Sequence, residues 1–85
     1  MQQFSYTIKD ELGIHARPAG LLVKQASPFK STIAVDTGTK KADAKKIMAL
    51  MGAGVKQGMT VTVSAEGPDE DEAIEALKKF FEETL

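Results

Sequence analysis

The apolar residues of this chain switch repeatedly between a spacing of two and a spacing of three to four, which sharply limits the folds open to it. Phe4, Tyr6 and Ile8 alternate with Ser5 and Thr7, the pattern of a half-buried strand. Lys9-Asp10-Glu11-Leu12-Gly13 reads as a loop. Pro18 then suits the first turn of a helix, where its missing N–H is no loss, and Ala19, Leu22, Val23 and Ala26 follow on one face. Ser27-Pro28 ends that helix. Ile33 and Val35 alternate within 32–36, and the turn Asp36-Thr37-Gly38-Thr39 leads into a short strand near Lys40–Ala42. Asp43 is placed to cap a short helix holding Ile47, Met48, Leu50 and Met51, stopped by Gly52-Ala53-Gly54.

A fourth strand carries Val61, Val63 and Ala65, and Gly67-Pro68 turns the chain. Asp69 and Glu72 have the spacing of a capping box and open a last helix over about Glu70–Glu83. Its inward residues are Ala73, Ile74, Leu77, Phe80 and Phe81. The predicted order is β-α-β-β-α-β-α, an α+β fold. An antiparallel sheet with helices on one face buries every apolar stripe named here.

Eighty-five residues are read as one domain, 1–85, without room for a second core. A domain of that size buries only about 60% of its unfolded surface, so few side chains are spare. The chain has no cysteine, which excludes disulfides, thiolate nucleophiles and cysteine-based zinc sites. Its apolar runs, such as Leu21-Leu22-Val23, are far below the roughly 20 residues of a membrane span. Met1-Gln2-Gln3-Phe4 has no signal-peptide character, and a cytoplasmic protein without direct membrane insertion is expected.

The net charge of −1 hides an asymmetry. Residues 1–56 carry nine Lys or Arg against four Asp or Glu, whereas residues 57–85 carry two against eight. A positive field over the first portion favours an anionic substrate or an acidic partner face. The acidic run equally serves the last helix, and both readings stand. Nucleic acid is not an expected partner, because the chain lacks a Gly-x-x-Gly clamp or an aromatic strand motif.

The only histidine, His15, lies in Gly13-Ile14-His15-Ala16-Arg17-Pro18-Ala19, just before the first helix. A neutral imidazole carries one free lone pair near pH 7 and can attack an activated phosphoryl group without a separate base. The N–H groups of Ala16 and Arg17 at the helix start, the helix dipole and the Arg17 guanidinium can hold the added anion. Gly13 permits close backbone approach. A lone histidine is more often an ordinary surface or capping residue, but the flanking Gly, Arg and Pro weigh against that here. A metal site would have only carboxylates as co-ligands, and no hydroxyl lies in a nucleophile-elbow context. No cofactor or metal is expected.

These residues resemble the signature of the HPr family, the histidine-containing phosphocarriers of the bacterial phosphoenolpyruvate:sugar phosphotransferase system. Lys46-Ile47-Met48-Ala49-Leu50-Met51-Gly52, followed by Gly54 and Gly58, is similar to the family's second characteristic segment. The resemblance covers essentially the whole chain. It implies an open-faced β-sandwich, four antiparallel strands in the order 1-4-2-3 under three helices. It implies that His15 accepts a phosphoryl group on Nδ1 from phosphorylated enzyme I. His15 would then pass the group to the A domain of a sugar-specific enzyme II, with Arg17 contacting the phosphate. Such a chain is a monomeric carrier cycling through covalent phosphohistidine rather than a stand-alone enzyme. A nitrogen-related or dihydroxyacetone-kinase branch, or a purely regulatory binding module, is the alternative.

The same resemblance places residues matching Ile47, Met48 and Met51 near the histidine as partner-binding positions. The helical wheel sends Leu50 to the core and Met48 to the surface, and leaves Met51 open between them. Where Gram-positive members of low GC content carry a regulatory serine, this chain has Lys46, which has no hydroxyl to phosphorylate. Lys45 and Lys46 are therefore expected to join Arg17 and Lys24 in a basic, partner-steering rim.

Overall fold

Each alternating segment forms a strand and each three-to-four-spaced segment a helix in the computed structural model, which describes residues 1–9 and 16–85. Residues 10–15, with most of the expected loop and His15 itself, lie outside the described residues. The elements in chain order are β1 (Gln2–Thr7), α1 (Ala16–Ala26), β2 (Thr32–Asp36), β3 (Lys41–Asp43), α2 (Ile47–Gly52), β4 (Thr60–Glu66) and α3 (Glu70–Thr84). The strands form one antiparallel sheet in the order β1-β4-β2-β3.

Register carries the alternation across the sheet. Phe4 pairs with Val63 and Tyr6 with Val61, while Val35 pairs with both Val63 and Ala42. All of these side chains project to the helix side. Ser5 faces Thr62 and Thr7 faces Thr60 on the other side, where their hydroxyls hydrogen-bond at 3.3 and 2.9 Å. That polar face stays open. The helices cover the opposite one, α3 over β1 and β4 and α2 against β3, with α1 touching both helices. Phe81 is fully buried and takes Phe4, Tyr6 and Phe80 edge-to-face at 5.7 to 6.0 Å. Burying a ring of this size stabilises the fold by about 2–3 kcal/mol.

Several boundaries move for visible reasons. β1 begins at Gln2 because the pairing with β4 runs out to Ala65, and Ile8 extends it by bonds to Met59 and Gly58. β3 reaches Asp43, which pairs with Ala34. α1 starts two residues before Pro18, which still falls in the first turn. α3 continues through Thr84, and Leu85 beyond it is buried.

Two expected caps do not form. Asp43 Oδ1 accepts the Lys45 N–H at 2.9 Å, closing a turn before α2, and Lys46 is the residue at the cap of that helix. The Asp69-x-x-Glu72 capping box is absent as well. Asp69 precedes α3, but its carboxylate makes no capping bond and faces the connection between α1 and β2. It accepts the Lys30 N–H at 2.8 Å, the Ser31 N–H at 2.9 Å and the Ser31 hydroxyl at 2.5 Å. Ser31 is completely buried, and a buried donor without a partner costs more than an open helix turn in contact with water.

Gly67 is part of the same joint. Its φ is +155°, and a Cβ there would sit 2.6 Å from Ser31 Cα, so only glycine lets the two segments close. Gly67→Ala should lower stability by about 2 kcal/mol or more, measured by urea unfolding. The Ser31 hydroxyl and then the Lys30 N–H hold the Asp69 carboxyl below its ordinary value of 3.8. A depressed carboxylate stabilises the fold above its unfolded pKa and loses that contribution as pH falls through the folded value. The urea midpoint should therefore drop in acid below that ordinary value, and Asp69→Asn should flatten this part of the profile.

Candidate functional site

α1 begins at Ala16, immediately after His15 in the chain. The N–H groups of a helix's first turn have no intrahelical acceptors, so the backbone following His15 carries donors that α1 itself does not use, and the positive end of a dipole. Pro18, Ala19, Leu22 and Ala26 are buried and anchor the helix. Arg17, Leu21 and Lys24 recur at four and three residues on the opposite face, and all three are exposed. No acidic side chain occupies the first turn of α1, so nothing on the helix itself neutralises Arg17.

α2 lies beside α1, where a Cβ on Gly20 would be 3.7 Å from Ile47 Cδ1. Its only fully buried side chain is Leu50. Met48 is 76% exposed, Met51 42% and Ile47 39%, so the helix points three large apolar side chains toward solvent. The helical wheel anticipated Leu50 and Met48; exposure resolves Met51. Leu21 of the neighbouring helix α1, 43% exposed, is a further exposed apolar residue that the sequence reading missed. Its signal was present: it lies four residues from Arg17, off the buried arc of α1.

The lysines separate into two kinds. Lys24 and Lys46 are exposed. Lys45 is half-buried and its Nζ donates to the Phe29 carbonyl at 2.6 Å, tying the turn before α2 to the connection that follows α1. Lys45 thus does part of its work inside the fold rather than on a free rim. Lys40 Nζ donates to the Gly52 carbonyl at 3.3 Å, placing a cation favourably at the C-terminal end of α2. Lys46 sits at the opposite end with extended backbone, φ −123° and ψ 109°, and no side-chain cap.

Among the described residues no helix is long and apolar enough to cross a membrane. No group of three or more acidic, histidine or cysteine side chains is placed there to hold a metal ion.

Comparison with known proteins decides the family. The model of the phosphotransferase-system HPr component phosphorylation site matches residues 2–83. This chain belongs to the HPr family. HPr of Lysinibacillus sphaericus is 51% identical over 77 residues, covering 91% of this chain and 88% of that one. The solved histidine-containing phosphocarrier of a Mycoplasma superposes with a TM-score of 0.95 at 41% identity, covering 98% of this chain and 94% of its own. HPr from Thermoanaerobacter tengcongensis superposes at 0.91 with 50% identity, covering 96% and 92%; a dimer of that organism's HPr matches at 0.77. The fold is thus the open-faced β-sandwich of HPr, and the chain is a phosphocarrier of the phosphotransferase system.

Lys46 leaves the first turn of α2 without a side-chain cap. Lys46→Ser should raise stability by about 1 kcal/mol, read from thermal or urea unfolding, because its backbone already has capping geometry.

Proposed function

We propose that His15 accepts the phosphoryl group from phosphorylated enzyme I and passes it to the A domain of a sugar-specific enzyme II. The observation that carries this reading is the placement of the chain's only histidine directly before α1, in a sequence matched by the HPr model over residues 2–83.

The Nδ1 lone pair attacks phosphorus as the donor's bond to it breaks, giving a phosphoramidate that retains a high transfer potential. The Ala16 and Arg17 N–H groups receive the anion, and the α1 dipole adds about 0.5–2 kcal/mol. The Arg17 guanidinium supplies charged hydrogen bonds from the exposed face of the same turn. Transfer requires little else of the protein, since positioning and electrostatics dominate phosphoryl chemistry.

Ile47, Met48 and Met51, with Leu21, form the apolar contact for partners. Methionine suits a surface that must accept more than one of them, because its unbranched thioether repacks easily. Arg17, Lys24 and Lys46 steer acidic partner faces onto it. Lys46 offers no hydroxyl, so the carrier lacks the serine switch at that position. The carrier works in the cytoplasm as a single domain and a single copy, without a cofactor; sedimentation at the mass of one chain is the expected result, against the dimer known for the Thermoanaerobacter tengcongensis relative.

Incubation with phosphoenolpyruvate and an enzyme I should add one phosphoryl group, labile in acid and stable in base. The group should be absent from His15→Ala and kept in Lys46→Ser; an acid-stable label would overturn the assignment. Arg17→Gln should slow transfer about ten- to hundredfold, the worth of one charged hydrogen bond. Lys46→Gln should slow it at low salt and converge with the unsubstituted protein as ionic strength rises.

A further inference from the structure

The chain has four methionines, and the fold treats them unequally. Met59 is half-buried, and its sulfur accepts the Lys56 N–H at 3.3 Å. Met1 is 70% exposed, next to the outer strand β1. Met48 and Met51 lie on α2 against β3, the other outer strand, at 76% and 42% exposure. A solvent-facing thioether is open to two-electron oxidants, and the sulfoxide it forms is polar where the thioether was apolar. α2 is anchored by Leu50, so Met48 can change polarity without disturbing the core contact that holds its helix.

We infer that Met48 is a reversible oxidation site, with Met51 following more slowly, through which peroxide-class oxidants turn down partner docking. The sulfur lone pair attacks one oxygen of hydrogen peroxide. The S–O bond forms as the O–O bond breaks, and the second oxygen leaves as water after proton transfer. Sulfur loses two electrons and the peroxide gains them. A methionine sulfoxide reductase, drawing on a thiol reductant, reverses the change. This inference rests on the proposal that Met48 contacts partners, and it adds a chemical signal to that surface.

The test uses the full chain exposed to graded hydrogen peroxide, with sulfoxide at each methionine followed by peptide mass spectrometry. Met48 should oxidise well ahead of Met59. The rate of phosphoryl transfer from enzyme I should fall with Met48 oxidation and not with Met1 oxidation, by about tenfold, the scale of placing one polar group in an apolar contact. The urea midpoint should not move, and methionine sulfoxide reductases should restore the rate. Met48→Leu, normalised to its own untreated rate, should lose most of the early sensitivity. Met48→Gln, untreated, separates the two ideas. If it transfers as fast as the unsubstituted chain, the docking role of Met48 fails and the switch with it. If it is slow while fully oxidised wild-type protein is not, docking stands and the oxidation switch is overturned. Met59 oxidising as fast as Met48 would also overturn it.

Discussion

One-sided burial of the sheet is the constraint on which the rest of this structure depends. The register of β4 against β1 and β2 sends Phe4, Tyr6, Val61, Val63, Ile33 and Val35 to a single face, and all three described helices must share that face. A slip of one residue would exchange these side chains for the Ser and Thr ladder on the open side. With one apolar face to cover, α1 and α2 are brought side by side, and the contact at Gly20 and Ile47 follows. The exposed arcs of both helices then face the same solvent. The exposed arcs proposed as the docking surface are therefore a by-product of how a small domain finds enough apolar area to bury.

Polar chemistry inside the fold is spent on joints rather than on helix caps. Asp69 and Asp43 both stand where a cap would be expected, and both instead satisfy backbone donors in turns. Lys45 and Lys40 satisfy carbonyls at Phe29 and Gly52. These bonds tie together the connections between elements. The short helix α2 is consequently held from both ends by lysine and aspartate contacts with neighbouring segments. Its N-terminal turn starts at Lys46, whose side chain makes no capping bond.

Much of the fold was legible because local periodicity and tertiary burial agree. The alternation at Val61, Val63 and Ala65 and the helical spacing at Ala73, Leu77, Phe80 and Phe81 each name the buried face directly. The candidate site rests on sequence for a different reason: an imidazole, a helix start and an arginine are neighbours in the chain, so the proposal for them needs no long-range contact. The caps were not legible, since a carboxylate chooses among donors that sequence distance does not rank. Ser31 lies 38 residues from Asp69 and outcompetes the adjacent N–H groups because it is buried.

The sequence by itself determined the element order, the core stripes and the chemical character of the segment around His15, because these depend on neighbours within a few residues. Tertiary structure alone decided the partner of Asp69, the tethering of Lys45 to Phe29, and the packing of α1 at Gly20 against α2 at Ile47. Each of these depends on which distant groups compete for burial, and that competition is settled only when the helices dock on the sheet.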